Sequence, residues 1–320
     1  MALHPDLADF LELAEFGRLS GKTRPMHELG VERAREDFEQ ASAVLDLSPP
    51  GQLQVVPLRI TARDGHGLDA RLYRSEYDGG ALRPVILYLH GGGYVVGSLD
   101  SHDSVCRRLA NSGDFVVLAC DYRRAPEHVF PTALHDCLDS ANWLAEHAGQ
   151  WGADAGRAVF AGDSVGATLA TVMALIAQRQ PADIALRPRA QALFYPVADA
   201  ACQRPSHSRY AQGYLLESAT LEWFYAQYCV APEQRLDWRV SPLRIEALAA
   251  QVPTWLAVAG YDPLRDEGVA YAELLRGAGT ELAYSLEEGL THDFLRMSGM
   301  VDRVGQIYQE VNAWMLRQVG

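Results

Sequence analysis

The chain has 320 residues, of which 48% are hydrophobic and 22% are charged, a composition typical of a folded protein with a large core. Its formal net charge of −13 argues against nucleic acid or an anionic lipid surface as a partner, because no basic patch could offset it. No stretch approaches the roughly 18 consecutive apolar residues of a transmembrane helix.

The cysteines and the first residues bear on location. Five cysteines stand at wide spacings without a C-x-x-C pair, so neither a metal site nor a disulfide framework is predicted. Reduced thiols are typical of cytoplasmic proteins. Residues 1–6 lack the basic and apolar regions of a secretory signal peptide. We therefore expect a cytoplasmic protein with no metal and no cofactor.

Residues 5–46 are predicted to form two helices. Leu7, Phe10 and Leu11 share one face of the first, and Ala34 and Phe38 share one face of the second. The glycine-rich segment 17–23 between them is similar to a phosphate-binding P-loop. It has three residues between the glycines where four are required, and no strand precedes it. We interpret it as a loop, and residues 1–50 as a helical segment outside the sheet.

Beyond a break at residues 48–51 the pattern becomes strand-like. Residues 55–60 and 68–73 predict a hairpin, and residues 84–90 predict a strand buried on both faces. This strand leads into His90, Gly91, Gly92, Gly93 and Tyr94. A dinucleotide fingerprint would need glycine where valine stands at position 96, so it is not predicted. A His-Gly-Gly-Gly loop is typical of the oxyanion hole of lipases and esterases, with His90 bracing the loop.

Ser164 stands in the sequence Gly162-Asp163-Ser164-Val165-Gly166, between a predicted strand and a predicted helix that extends to residue 178. Gly-x-Ser-x-Gly in this context is typical of the nucleophile elbow of α/β-hydrolases. The serine occupies a sharp turn, where a side chain at either flanking glycine would collide with its neighbours. The following helix directs unpaired N–H groups at the reacting carbonyl. We predict that the N–H groups of Gly91, Gly92 and Val165 bind the oxyanion, with Gly93 shaping the loop.

Predicted helices and strands account for most of the rest of the chain. Helices are predicted at residues 101–110, 132–147, 218–228, 267–276 and 301–316, and strands at residues 115–120, 190–195, 254–260 and 282–286. Residues 200–250 lose strand character and contain an aromatic-rich helix, whose aromatic side chains in part pack into the core. An insertion at the carboxyl ends of parallel strands would lie over the ligand site. We therefore predict a catalytic domain over residues 51–320, with a cap formed by residues 1–50 and about 200–250.

The catalytic partners of Ser164 are predicted by chain order, because this fold requires serine, then acid, then histidine. Only His207 and His292 follow the serine, and His292 lies in the loop after the last predicted strand. Asp262 directly follows a strand, whereas its rival Asp266 is typical of an acid in the first turn of a helix. The sequence predicts His292 as the base and Asp262 as the residue that orients its imidazole.

These motifs, in this order, resemble the bacterial hormone-sensitive-lipase-like esterases over residues 50–320. The resemblance is carried by the motifs at residues 90–94, 121–127, 162–166 and 262–268 and by the loop at His292. It implies a mostly parallel eight-stranded α/β-hydrolase sheet flanked by helices, an N-terminal helical cap, no metal, and hydrolysis of short-chain acyl esters through an acyl-enzyme intermediate. Tyr94 and Asp163, which lie within these motifs, and Tyr195 are expected to contact the substrate.

Two positions depart from the family pattern. Val165 replaces the usual alanine, which keeps the N–H group but crowds the acyl site. Asp293 follows His292 where glycine is common, and its charge is expected to raise the pKa of the histidine.

The leading hypothesis is thus a serine carboxylesterase whose partner is a small-molecule ester. Two alternatives stay open: a ligand receptor that uses the same fold without turnover, and hydrolysis of amides or lactones by the same residues. The sequence does not fix the acyl length or the oligomeric state, for which a homodimer is one candidate.

Overall fold

The computed structural model describes residues 2–46, 48–76, 79–111 and 114–320. Its strands are β1 (Gln54–Thr61), β2 (Gly67–Arg74), β3 (Arg83–Leu89), β4 (Val116–Cys120), β5 (Ala153–Asp163), β6 (Pro188–Phe194), β7 (Thr254–Tyr261) and β8 (Leu282–Thr291). Its α-helices are α1 (Pro5–Leu19), α2 (Val31–Leu45), α3 (Asp103–Ala110), α4 (Thr132–His147), α5 (Val165–Arg179), α6 (Pro205–Arg209), α7 (Ser218–Tyr228), α8 (Arg265–Gly277) and α9 (Asp302–Val319).

All eight strands form one sheet in the order β1-β2-β4-β3-β5-β6-β7-β8. The pairs β1–β2 and β2–β4 are antiparallel, and every other neighbouring pair is parallel. The predicted mostly parallel eight-stranded sheet is therefore confirmed. Because β3, β5, β7 and β8 run in the same direction, the loops that follow them meet at one edge of the sheet, where open α/β sheets bind ligands.

The sheet separates two apolar clusters because alternate side chains of each strand point to opposite faces. Phe160 of β5 belongs to one cluster, and its neighbours in the strand, Val159 and Ala161, belong to the other. The N-terminal helices contribute to both clusters: Phe38 packs into the first and Leu7 into the second. Helices α1 and α2 are thereby anchored to the two apolar clusters that flank the sheet.

The predicted element boundaries differ from the observed ones mainly in two strands. Strand β8 runs on to Thr291, which pairs with Tyr261, whereas the sequence predicts its end at residue 286. Strand β5 begins at Ala153 and changes register between Ala158 and Val159, so its first half lies outside the apolar run that predicts it. Within the described ranges, no helix combines the length and hydrophobicity needed to cross a bilayer.

Candidate active site

Ser164 occupies a strained turn between β5 and α5. Its φ of 53° and ψ of −124° lie outside the regions that non-glycine residues normally adopt. The two flanking glycines make the turn possible: a Cβ at Gly162 would overlap the backbone of Gly166, and a Cβ at Gly166 would overlap the carbonyl of Leu89. The turn raises the serine hydroxyl above the carboxyl end of β5 and leaves Val165 as the first residue of α5.

Three side chains from distant loops meet at this edge of the sheet. Nε2 of His292 lies 3.0 Å from Oγ of Ser164, and Nδ1 of His292 lies 2.7 Å from Oδ2 of Asp262. His292 directly follows β8, and Asp262 directly follows β7. The structure therefore brings together the serine, histidine and aspartate predicted from the sequence, at hydrogen-bonding distances.

The rival residues of the sequence analysis are engaged elsewhere. Oδ2 of Asp266 accepts a hydrogen bond from the N–H of Ser206 and thereby links the start of α8 to α6. Nδ1 of His207 accepts the N–H of Arg204 at 3.0 Å, within the first turn of α6. Neither residue contacts Ser164 or His292 in the hydrogen bonds of the described chain.

The glycine loop after β3 faces the serine, but the role predicted for Gly91 needs correction. The N–H of Gly91 donates a 2.9 Å hydrogen bond to Oδ1 of Asp163, so this N–H group is already in use. Gly92 and Gly93 line the cavity beside Ser164 and Val165, whereas Gly91 does not. In the described chain the N–H groups of Gly92, Gly93 and Val165 have no recorded protein acceptor. These three groups are the ones available to an oxyanion.

His90 braces the glycine loop, as the sequence predicts. Its Nδ1–H donates to the carbonyl of Gly91 at 2.7 Å, and its ring stacks on Tyr122 at 4.3 Å between centroids. Burial lowers the pKa of His90 to about 3, since an apolar environment disfavours the charged imidazolium. A neutral, buried ring in this position supports the loop and does not reach the cavity.

The residues predicted to contact substrate lie behind the cavity wall. Asp163 is fully buried; besides Gly91 it accepts a hydrogen bond from the hydroxyl of Tyr88 at 2.5 Å, and its Oδ2 lies 3.4 Å from Nε2 of His102. Burial alone would raise the pKa of Asp163, but His102 and Tyr88 stabilise the carboxylate and lower it to about 2. An ionised Asp163 therefore holds the glycine loop against the elbow.

The two predicted tyrosines are also supporting residues. Tyr94 stacks on Tyr228 of α7 at 3.7 Å between ring centroids. The ring of Tyr195 lies 4.7 Å from that of His292, and its hydroxyl accepts the N–H of Leu295 at 3.3 Å. Neither tyrosine lines the cavity. Substrate contact by Tyr94, Asp163 and Tyr195 therefore stays a prediction that the cavity lining does not support.

A cavity of about 810 Å³ opens above Ser164. Its floor includes the glycine loop and His292, and its wall comes largely from α1, α2 and α7 (Phe10, Leu11, Ala14, Phe38, Ala41, Phe224). The ring of Phe224 packs so closely against Gly93 that a Cβ there would overlap it. A mainly apolar wall around a few polar groups is typical of a small-molecule site.

The surroundings of His292 favour its charged form. Burial alone would lower the pKa of His292, but the carboxylates of Asp262, Asp293 and Asp163 outweigh it, so the pKa is raised above its ordinary value. Sequence reasoning anticipated the effect of Asp293 but missed Arg296, whose guanidinium binds Oδ2 of Asp293 at 2.7 Å. No motif contains Arg296, so no local signal pointed to it.

Among the described residues, no three His, Cys, Asp or Glu side chains come together as potential metal ligands. The five cysteines are free thiols.

A family model described as α/β hydrolase fold matches residues 86–296, more than half of the chain. This range contains the glycine loop, the elbow and both predicted partners of the serine.

Three similar proteins match most of the chain. The sequence is 48% identical over 309 residues to an ethyl acetate hydrolase of Pseudomonas putida, covering 96% of each protein. It is 32% identical over 278 residues to the carboxylesterase NlhH of Mycobacterium tuberculosis, covering 85% of this chain and 84% of that one. A thermostable esterase from Pseudomonas putida superimposes with a TM-score of 0.91 at 30% identity, covering 100% of this chain and 98% of that structure.

Proposed function

The chain belongs to the hormone-sensitive-lipase-like esterases of the α/β-hydrolase fold family and is a carboxylic ester hydrolase. From this premise we propose that it hydrolyses short-chain acyl esters through Ser164, His292 and Asp262. The observation that carries the proposal is the continuous hydrogen-bonded line from Oγ of Ser164 through the imidazole of His292 to Oδ2 of Asp262. That line has the geometry of a nucleophile, a base and an orienting carboxylate.

In the first step, Oγ of Ser164 attacks the carbonyl carbon of the ester while Nε2 of His292 accepts the hydroxyl proton. The negative charge that develops on the carbonyl oxygen is bound by the N–H groups of Gly92, Gly93 and Val165, each typically worth roughly 3–4 kcal/mol in such a site. Asp262 holds the imidazole in the correct tautomer and stabilises the imidazolium.

The tetrahedral intermediate then collapses. The bond to the alcohol oxygen breaks, His292 donates its proton to that oxygen, and the acyl group stays on Ser164 as an ester. In the second half, His292 takes a proton from water, the resulting hydroxide attacks the acyl carbonyl, and the acid is released as Ser164 recovers its proton.

Three observations support small substrates. The similar protein from Pseudomonas putida is named for ethyl acetate hydrolysis. The side chains of Val165 and Phe224 line the cavity next to Ser164, and Phe224 packs against Gly93. Helices α1, α2 and α7 supply the cavity wall, and we propose that residues 1–50 and about 200–250 act as the cap that limits substrate size.

The proposed triad is tested with a chromogenic butyrate ester. Ser164→Ala is expected to lower kcat by about 10⁶-fold and Asp262→Asn by about 10⁴-fold. Asp266→Asn is the matched control: it removes a nearby carboxylate without touching His292, so activity should stay within a few-fold of the wild type. A kcat of Ser164→Ala equal to that of the wild type would refute the proposal.

A series of acetyl to dodecanoyl esters tests the size limit, with activity expected to fall beyond short chains. Tight ligand binding without turnover would instead favour a receptor, and turnover of amides or lactones alone would favour the other alternative.

We also propose a cytoplasmic location, supported by the free thiols and testable by cell fractionation. The candidate homodimer is tested by light scattering of the purified chain.

A further inference from the structure

Arg296 is a buried cation beside the proposed catalytic histidine. Its side chain is only 4% exposed. Beyond the ion pair with Asp293, it donates a hydrogen bond to the hydroxyl of Ser42 on α2, and its guanidinium lies 4.2 Å from the ring centroid of Phe38, also on α2. A guanidinium in such a place is tolerated only if it is paired and well hydrogen-bonded. Arg296 therefore joins the loop of His292 to the N-terminal helical segment.

Asp293 stands between this cation and the histidine. One carboxylate oxygen, Oδ2, binds Arg296, and the other, Oδ1, lies 3.9 Å from Nε2 of His292. This nitrogen faces Ser164. Asp293 has a φ of 65°, a left-handed conformation that glycine adopts at no cost. Asp293 thus accepts backbone strain and places a negative charge at the reacting edge of the imidazole.

We propose that Asp293 and Arg296 form a charge-compensated pair that sets the electrostatic environment of His292, with Arg296 acting as a positioning residue that fixes and neutralises Asp293 while anchored to α2. The inference rests on the proposed function, because it assigns His292 the role of base.

The charges around His292 give the proposal a specific signature. Asp262 faces Nδ1, Asp163 lies behind the elbow beside His102, and Asp293 faces Nε2. Arg296 is a cation within electrostatic reach of both Asp163 and Asp293. Ser164 and Tyr195, which also contact the imidazole, are neutral. Removing Asp293 takes away a negative charge, whereas removing Arg296 leaves that charge without compensation. The two changes should therefore act on the imidazolium in opposite directions.

The experiment is the pH profile of kcat/KM for a chromogenic butyrate ester, whose acid limb reports protonation of His292 in the free enzyme. Asp293→Asn is expected to move the acid limb down by about 0.5–1 pH unit, and Arg296→Gln to move it up by a similar amount. The double variant should return close to the wild-type limb. Arg296→Lys, which keeps the charge, should also stay near it.

The matched control is Arg108→Gln. Arg108 forms a similar two-bonded ion pair with the buried Asp46 at the end of α2, but it has no recorded contact with His292. This variant should lower the melting temperature and leave the acid limb in place. If the role of Arg296 were only structural, Arg296→Gln would also lower the melting temperature and leave the acid limb in place.

The possible outcomes separate this inference from the proposed function on which it rests. The inference is overturned if folded Asp293→Asn shows no downward shift, or if Asp293→Asn and Arg296→Gln shift the limb in the same direction. If Arg296→Gln does not fold, Asp293→Asn and Arg296→Lys still test the inference. The acid limb of Asp293→Asn must shift, and that of Arg296→Lys must stay near the wild-type position. If the wild type hydrolyses the ester through Ser164 but these shifts are absent, only this inference fails. If Ser164→Ala is fully active, the proposed function itself fails.

Discussion

The N–H of Gly91 donates a 2.9 Å hydrogen bond to Oδ1 of Asp163. Gly91 is the first glycine of the glycine loop, and Asp163 immediately precedes Ser164, so this one bond joins two chain segments that lie 72 residues apart in the sequence. The available oxyanion donors come from both segments: two N–H groups from the loop and one from the start of α5. The spacing between them therefore depends on Asp163.

Replacing Asp163 with alanine removes this link, and the oxyanion donors should lose their alignment. We expect kcat for a butyrate ester to fall by about 10- to 100-fold while KM changes by less than about threefold, because the lost interaction acts mainly in the transition state. Steady-state kinetics measures both parameters, and fluorescence checks the fold.

Tyr88→Phe is the matched control for Asp163, since it removes one hydrogen bond to the carboxylate but keeps the link to Gly91. Its kcat should fall much less. A loss in Asp163→Ala that appears only in KM would count against alignment as the role of this carboxylate.

Val165→Ala should widen the cavity next to the nucleophile and keep the backbone N–H. The ratio of kcat/KM for a hexanoyl ester to that for an acetyl ester is expected to rise about tenfold, because each methylene in an apolar pocket is worth roughly 1–3 kcal/mol. Val172→Ala, a buried position of the same helix that does not line the cavity, should lower stability without changing the ratio. An unchanged ratio in Val165→Ala would mean that Val165 does not limit acyl length.

Glu267→Gln should stabilise the protein increasingly as the pH rises. Glu267 is fully buried, and burial raises its pKa well above the ordinary 4.5. Because the folded-state pKa of Glu267 exceeds the unfolded one, its contribution to stability is greatest below about pH 4.5 and falls as the pH rises toward the folded pKa. Glutamine cannot ionise and avoids this loss, so the gain at pH 8 should be about 1–3 kcal/mol.

Urea unfolding between pH 4 and pH 8 measures this difference. Glu127 provides the control: Arg35 lowers its pKa to about 2, so Glu127→Gln should give a small difference that stays constant above about pH 5.5. A gain for Glu267→Gln that does not grow with pH would show that the pKa of this carboxyl is not higher in the folded state than in the unfolded state.

Local patterns predicted the elements that carry their own signals. Helix α4 begins at Thr132 and ends at His147, as predicted, because helical periodicity and a preceding proline mark it. Strand β8 was predicted too short because Glu287, Glu288 and Gly289 have no strand propensity, and pairing with β7 extends it through them. Tertiary context decided that boundary.

The candidate site likewise contains residues that the sequence predicts and contacts that only the folded structure shows. Chain order and position after strands were enough to select Ser164, Asp262 and His292, because loops after parallel strands meet at one edge. The use of the Gly91 N–H by Asp163 and the anchoring of Arg296 to Ser42 depend on side chains that approach only after folding. No spacing in the sequence encodes such contacts.

Covalent labelling by an activated phosphonate ester, followed by peptide mass spectrometry, tests the central claim most directly. The account predicts one phosphonyl group per chain, located on Ser164, with loss of esterase activity in proportion to labelling and neither label nor activity in Ser164→Ala. Inactivation by a label on another residue, with Ser164 unmodified, would contradict it.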